Sequence, residues 1–162
     1  MSSRDEVLDI LRGNARASTE EIARQIDADP DEVEAIIGDL EADGLIRGYR
    51  AVIDRSRLDG ETVRANVELN VTLDRETGYD DIADRIARFP EVESLSLVSG
   101  EFDFVMAVEG ESMQAVSSFI SDKVAPVPEI TQTVTHYVMS TYKEQGIEFG
   151  DGHDDDRLSI SP

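Results

Sequence analysis

Apolar residues in the first 45 positions recur at helical spacing. Val7, Leu8, Ile10 and Leu11 give the segment from Arg4 to Arg12 one apolar side, and Gly13 stops it. Ser18-Thr19-Glu20-Glu21 has the spacing of a capping box, in which the Ser18 hydroxyl accepts an N–H one turn on and Glu21 reaches back. Ile22, Ala23 and Ile26 supply the buried side of a second helix, and Asp27-Ala28-Asp29 reads as a tight turn. A third helix opens with Asp29 as N-cap and Pro30 at the first helical position, where the missing N–H costs nothing. Val33, Ile36, Ile37 and Leu40 fall at i, i+3, i+4 and i+7, a single buried stripe, and Gly44 ends the helix. Leu45 to Ile53 reads as a short β-hairpin or wing. Three short helices and a hairpin predict a helix-turn-helix. The same layout also serves as a helical dimerisation cap with no DNA role, since fold alone does not fix function.

Beyond the polar segment Asp54 to Gly60, expected to be a hinge, the period changes to two. Val63, Ala65, Val67, Leu69 and Val71 alternate with Thr62, Arg64, Asn66, Glu68 and Asn70, which predicts a half-buried strand with one wet face. Tyr79 to Phe89 is helical, with Ile82, Ala83, Ile86 and Phe89 on one side and Pro90 closing it. Two strands, Val92 to Val98 and Phe102 to Glu109, flank the turn Ser99-Gly100-Glu101. A further helix spans Ser112 to Val124, and Ile130 to Tyr142 reads as a long final strand. The order βαββαβ is the ferredoxin-like split unit. The expected fold is therefore α+β: a winged helix-turn-helix over 1–53, a hinge over 54–60, a βαββαβ domain over 61–145, and an acidic mobile tail over 146–162. The first and last strands of the second domain carry more apolar surface than two thin layers use, so residues 61–145 are expected to join subunits.

Charge changes this picture. Thirty-six acidic residues face 15 basic ones, a net charge of −21, and only Lys123 and Lys143 are lysine. The acids are spread along the chain rather than gathered in one tail, which resembles the solvated surface of proteins from salt-accumulating halophiles. Such charge aids solubility but repels nucleic acid in dilute buffer. There is no cysteine, which excludes disulfides, thiolate metal sites and a cysteine nucleophile. No apolar run reaches the roughly 18 residues needed to span a bilayer, and the first residues do not read as a signal peptide, so a cytoplasmic location without membrane contact is expected. His136 and His153 are the only histidines, and neither belongs to a visible catalytic constellation. His153-Asp154-Asp155-Asp156 reads as a solvated run rather than a metal site. No catalytic residue, metal or cofactor is expected.

The stretch Leu40-Glu41-Ala42-Asp43-Gly44-Leu45-Ile46-Arg47-Gly48-Tyr49-Arg50-Ala51-Val52-Ile53-Asp54 closely resembles the Lrp/AsnC family of leucine- and asparagine-responsive transcription regulators. Val98-Ser99-Gly100-Glu101-Phe102-Asp103-Phe104 and Ile130-Thr131-Gln132-Thr133-Val134-Thr135 follow in the family's order, so the resemblance covers about residues 4–144. It implies a regulator of amino-acid or nitrogen metabolism that binds double-stranded DNA. It also implies a homodimer or a larger ring, an octamer among them, with an amino acid effector held between C-terminal domains. One departure stands out. The exposed positions of the third helix are Asp31, Glu32, Glu34, Ala35, Gly38, Asp39 and Glu41, without a lysine or arginine to read guanine.

The candidate DNA contacts are therefore Arg16, Ser18, Thr19 and Arg24 before that helix and Arg47 and Arg50 in the wing, which suit phosphates rather than bases. The candidate effector site is Ser99, Gly100, Glu101, Phe102 and Asp103 together with Thr131, Thr133 and Thr135. Asp103 offers a carboxylate to an ammonium group, and alternate threonines on one strand share a face. Spacing alone favours a plain hairpin turn and a threonine ladder, and the resemblance turns the balance toward an effector site. Two other functions remain open on the residues: a ligand-sensing oligomer without direct DNA binding, and an enzyme on the same scaffold.

Overall fold

The computed structural model describes residues 1–150. The chain divides into two compact units, Met1–Val52 and the chain from Ile53 onward, each with its own apolar core. The expected acidic run around His153 lies outside the described residues.

The first unit holds three helices: α1 (Ser3–Gly13), α2 (Thr19–Ile26) and α3 (Pro30–Ala42). Local chemistry sets each boundary. Ser2 and Ser18 both form capping boxes, with Asp5 and Glu21 reaching back, and the Asp29 side chain accepts the Asp31 N–H. Asp27 adopts left-handed backbone (φ 53°), a conformation that Asp tolerates better than most residues, and so turns the chain from α2 into α3. Helix α3 stops in a C-terminal lock of three bonds, one of them from the Ile46 N–H to the Leu40 carbonyl at 3.0 Å. Gly44 (φ 72°) donates to the Glu41 carbonyl, and Leu45 donates to Leu40. Val7, Leu11, Ile22, Ala23, Val33 and Leu40 close the core between the three helices.

No strand pairs over residues 45–53, where a hairpin or wing was expected. A two-stranded ribbon alone is marginal in water, and among the described residues this segment pairs with no other strand. Tyr49 ties it back instead, donating from its hydroxyl to Glu41 on α3 at 2.9 Å. The polar segment expected as a hinge begins with a 3-10 turn, Arg55–Arg57, and Arg55 is ion-paired to Glu109 and Glu144 of the second unit.

The second unit is a four-stranded antiparallel sheet in the order β2-β3-β1-β4. Its strands are β1 (Val63–Val71), β2 (Val92–Leu97), β3 (Phe104–Gly110) and β4 (Ile130–Tyr137). Helices α4 (Tyr79–Ala87) and α5 (Met113–Phe119) join them in the βαββαβ order. Ala65, Val67 and Leu69 of β1 pack with Phe104, Met106 and Val108 of β3 against Ile82, Ile86, Val116 and Phe119, so both helices cover one face. Helix α5 does not run on unbroken to Val124 as expected. Ile120–Val124 widens into a π-turn, and both of those end residues are buried in the core.

Strand β4 ends at Tyr137 rather than Tyr142, because its partner β1 begins at Val63 and Tyr137 already pairs with Ala65. The chain then makes a small hairpin, β5 (Lys143–Glu144) and β6 (Ile147–Glu148), inside the stretch expected to begin the tail. Gln145 (φ 50°) and Gly146 (φ 81°) form its two-residue turn, the geometry that matches strand twist.

Candidate DNA interface and effector site

Helix α3 presents its acidic residues to solvent. Asp31, Glu32, Glu34, Asp39 and Glu41 are all exposed, as are Ala35 and Gly38. The arginines stand around this helix rather than on it. Arg16 is exposed on the loop before α2, and its backbone N–H donates to the Asn14 side chain at 3.0 Å. Arg24 lies along α2, with Nε donating to the Glu20 carbonyl at 3.3 Å. Arg47 and Arg50 are exposed on the extended segment after α3.

Ser18 and Thr19 are engaged locally. The Ser18 hydroxyl accepts from the Glu21 N–H at 3.1 Å, and the Thr19 hydroxyl donates to Glu20 at 3.2 Å. The backbone N–H of Glu20 and then the Thr19 hydroxyl hold the Glu20 carboxyl below the usual carboxylate range. The first turn of α2 therefore carries a fixed negative charge beside Arg24. On the segment after α3, burial first and then Glu41 push the Tyr49 hydroxyl above its ordinary value.

The β2–β3 turn is built around Gly100, whose φ of 114° favours glycine. Ser99, Gly100 and Glu101 are exposed, and Phe102 and Asp103 are half-buried. Asp103 fastens the turn to the end of β1. Its backbone N–H donates to the Leu69 carbonyl at 3.0 Å, and Oδ2 accepts from the Val71 N–H at 2.9 Å. Among the described residues, Oδ1 has one long contact, 3.4 Å, from the Tyr79 hydroxyl at the start of α4. The Tyr79 ring meets Phe104 edge-on at 5.9 Å.

The three threonines do not act as one ladder. Thr133 and Thr135 pair with Leu69 and Val67, so they share the helix-covered face of the sheet and are half-buried. Thr131 falls at the irregularity where Asn70 pairs with Gln132 but Val71 with Ile130. It is exposed, and its hydroxyl donates to the Asn70 carbonyl at 3.2 Å. Thr131 and Asp103 thus bond adjacent residues of β1, while the other two threonines turn under the helices. Register explains the difference: alternation in β1 fixes which β4 residues face the core, and the irregularity takes Thr131 out of that alternation. Leu73, Tyr79, Leu97 and Val98 form an exposed apolar rim at the same end of the sheet.

Residues 64–147, just over half of the chain, match the Lrp/AsnC ligand binding domain. The chain belongs to the Lrp/AsnC family. Residues 6–47 match the winged helix-turn-helix DNA-binding domain, which covers α1 to α3. The HTH-type transcriptional regulator YugG of Bacillus subtilis is 41% identical, over 97% of this chain and 95% of its own length. The proline dehydrogenase transcriptional activator of Rhodobacter capsulatus is 28% identical, over 86% and 90%. A transcriptional regulator of Neisseria meningitidis, solved in complex with L-methionine, superposes with a TM-score of 0.71 at 20% identity, covering 89% of this chain and 92% of that one. This Lrp/AsnC chain therefore belongs with transcription regulators rather than enzymes.

Tyr79 is the site residue that pattern reading passes over in this Lrp/AsnC chain. Its signal is an aromatic at the first helical position, directly after the glycine cap Gly78, which no core stripe requires. Among the described residues no helix is long and apolar enough to cross a membrane, and no group of three metal-ligating side chains converges.

Proposed function

We propose that this chain is an amino-acid-gated, DNA-binding transcription regulator of amino-acid or nitrogen metabolism, working as a homodimer or larger ring in the cytoplasm. The observation that carries this reading is the pairing of a capped helix-turn-helix with a sheet end where Asp103 meets Tyr79 and Thr131 bonds the next residue of β1. A relative named as a proline dehydrogenase transcriptional activator and a neighbour solved with L-methionine support it. Grip on DNA falls to Arg16, Arg24, Arg47 and Arg50, because phosphate contacts position a protein without reading sequence. The acidic α3 works against phosphate, and molar salt shortens the range of that repulsion to about 3 Å.

The effector ammonium is assigned to Asp103 Oδ1, which among the described residues has the long contact from Tyr79 alone. A carboxylate accepts several hydrogen bonds, so the Val71 tie and the ligand are compatible. Ser99, Gly100 and Thr131 stand by for the ligand carboxylate, and the apolar rim suits an apolar side chain. Subunits pair through the sheet face that no helix covers, where Asn66, Glu68, Val105, Ala107, Val134 and His136 lie.

The test is calorimetric titration of amino acids into wild type and Asp103→Asn, with DNA binding followed in parallel. Asparagine keeps a carbonyl for the Val71 N–H but loses the charge. Loss of the charge is expected to cost about 2–5 kcal/mol of effector affinity while dimer mass and DNA binding persist. Equal affinity for an amino acid in both proteins would sink the assignment of Asp103, and no amino acid binding to wild type would sink the gating.

A further inference from the structure

At the opposite end of the sheet from Asp103 lies a cleft of about 200 Å³. It is walled by Arg55 and Arg64, by the hydroxyl-bearing Ser140 and Thr141, by the apolar Val138 and Phe149, and by Asp54, whose carboxylate accepts from the Ser56 hydroxyl at 2.6 Å and lies 3.7 Å from Arg57. Both arginines are mostly buried, at 27% and 20% side-chain exposure, which is unusual for a residue normally left in water.

Their partners explain how the charge is tolerated. Glu109 accepts from Arg55 Nε at 2.9 Å and lies 4.0 Å from Arg64 Nε. Glu144 places one oxygen on each guanidinium: Oε1 is 3.0 Å from Arg64, and Oε2 is 3.4 Å from Arg55. Of these two carboxylates Glu144 lines the cleft and Glu109 does not; Asp54, the other acid of the lining, is turned to Ser56 and Arg57. It is carried by β5, a two-residue strand whose partner β6 is equally short. A guanidinium has five donors and no acceptor, so the two arginines together form a carboxylate-binding fork with donors to spare.

We propose that this cleft is a receptor for a small aliphatic carboxylate, and that Glu144 occupies it as a tethered competitor. A free carboxylate with a short branched tail fills the same fork. Its oxygens replace those of Glu144, Ser140 and Thr141 offer hydroxyls, and the tail lies against Val138 and Phe149. Tethering gives Glu144 a high effective concentration, so wild type binds the free ligand weakly. Displacement releases the hairpin bearing Glu144 and loosens one of the two ties that hold Arg55, three residues after the first unit ends. The site is separate from the effector end, so it stands or falls independently of the amino acid reading.

The experiment titrates isovalerate, and isovaleramide as its neutral counterpart, into the full chain while backbone NMR signals are followed. Glu144→Gln removes the competitor and is expected to tighten isovalerate binding about tenfold or more, with shifts at residues 55, 64 and 138–141. Isovaleramide is expected to bind neither protein. Glu144→Gln with Arg64→Gln tests the fork: its affinity is expected to fall back to the wild-type level or below. Unchanged signals from β1 and β3 in the absence of ligand confirm that each variant is folded, and a variant that fails this check is replaced by Glu144→Asp, whose shorter reach also weakens the tether. Isovalerate binding no tighter in the freed variant, or shifts confined to residues 99–103, would overturn the proposal.

Discussion

Single residues set the turns on which both candidate sites depend. Gly44 and Gly100 hold positive φ, and Asp27 takes a left-handed conformation with its Cβ in place. Asp103 spends one oxygen on the Val71 N–H, a fixed tie that a sequence pattern gives no means of seeing because its partner is 32 residues away. Spacing is enough to show Asp103 as a polar residue beside a glycine turn, whereas its fastening to β1 needs the register of three strands. Tyr49 supplies a test at this scale. Its hydroxyl is raised above the ordinary value near 10 by burial and then by Glu41. The folded state thus favours the protonated phenol. That contribution is complete below the ordinary value and is lost as pH rises through the raised one. Thermal unfolding against pH is expected to show the first unit weakening in this alkaline window, and Tyr49→Phe is expected to remove that component of the slope. An identical alkaline slope in the variant would refute the role given to Tyr49.

At the level of elements, periodicity carries most of the fold. The stripe Val33, Ile36, Ile37, Leu40 and the alternation from Val63 to Val71 both point at the cores: Val33, Leu40, Ala65, Val67 and Leu69 are buried, and Ile36, Ile37, Val63 and Val71 pack half-buried against them. Elements depart from the pattern where partners, not propensity, decide. Residues 45–53 have strand-like composition but no strand to join, and β4 stops where β1 runs out. The reverse happens at Lys143 to Glu148, where Gln145-Gly146 makes a hairpin in a stretch too short to show periodicity. The threonine face escapes the pattern for a related reason: alternation tells that Thr133 and Thr135 agree, but only the pairing with Leu69 and Val67 tells that they face the helices. Two separate cores lead to a clear expectation. Leu40→Ala and Leu69→Ala each empty a fully buried position and are expected to cost about 2–5 kcal/mol. Hydrogen exchange is expected to show the first substitution weakening α1 to α3 alone and the second weakening the sheet alone. Equal loss of protection in both units from either change would contradict separate cores.

For the whole molecule, the largest electrostatic influence is a net charge of −21 spread over both units. Each short-range feature sits in that field: the capping carboxylates, the Arg55–Arg64 cluster, the acidic face of α3. Self-repulsion of this size is screened by salt, since the Debye length shrinks from about 30 Å at 0.01 M to about 3 Å at 1 M. The chain is expected to melt at a clearly lower temperature, or to dissociate, in dilute buffer, and potassium chloride is expected to reverse the change. Calorimetry and light scattering across that salt range check this, and an unchanged melting temperature and mass would count against it. Charge is fully legible in the sequence. What it does to DNA affinity is not, because that depends on where Arg16, Arg24, Arg47 and Arg50 stand relative to α3.

That each unit closes around its own core has a genetic consequence. A substitution that empties Val33 or Leu40 spoils the DNA-reading unit and leaves the sheet unit's packing untouched. Given assembly through the sheet, the damaged subunit still takes its place beside intact ones. A cell carrying one good and one broken copy then fills its complexes with mixtures, and each mixture has fewer working heads than the sites on DNA require. Damage to the first unit should therefore be dominant, while damage to the core around Leu69 should be recessive, because subunits broken there drop out of the assembly and leave the intact ones to pair among themselves.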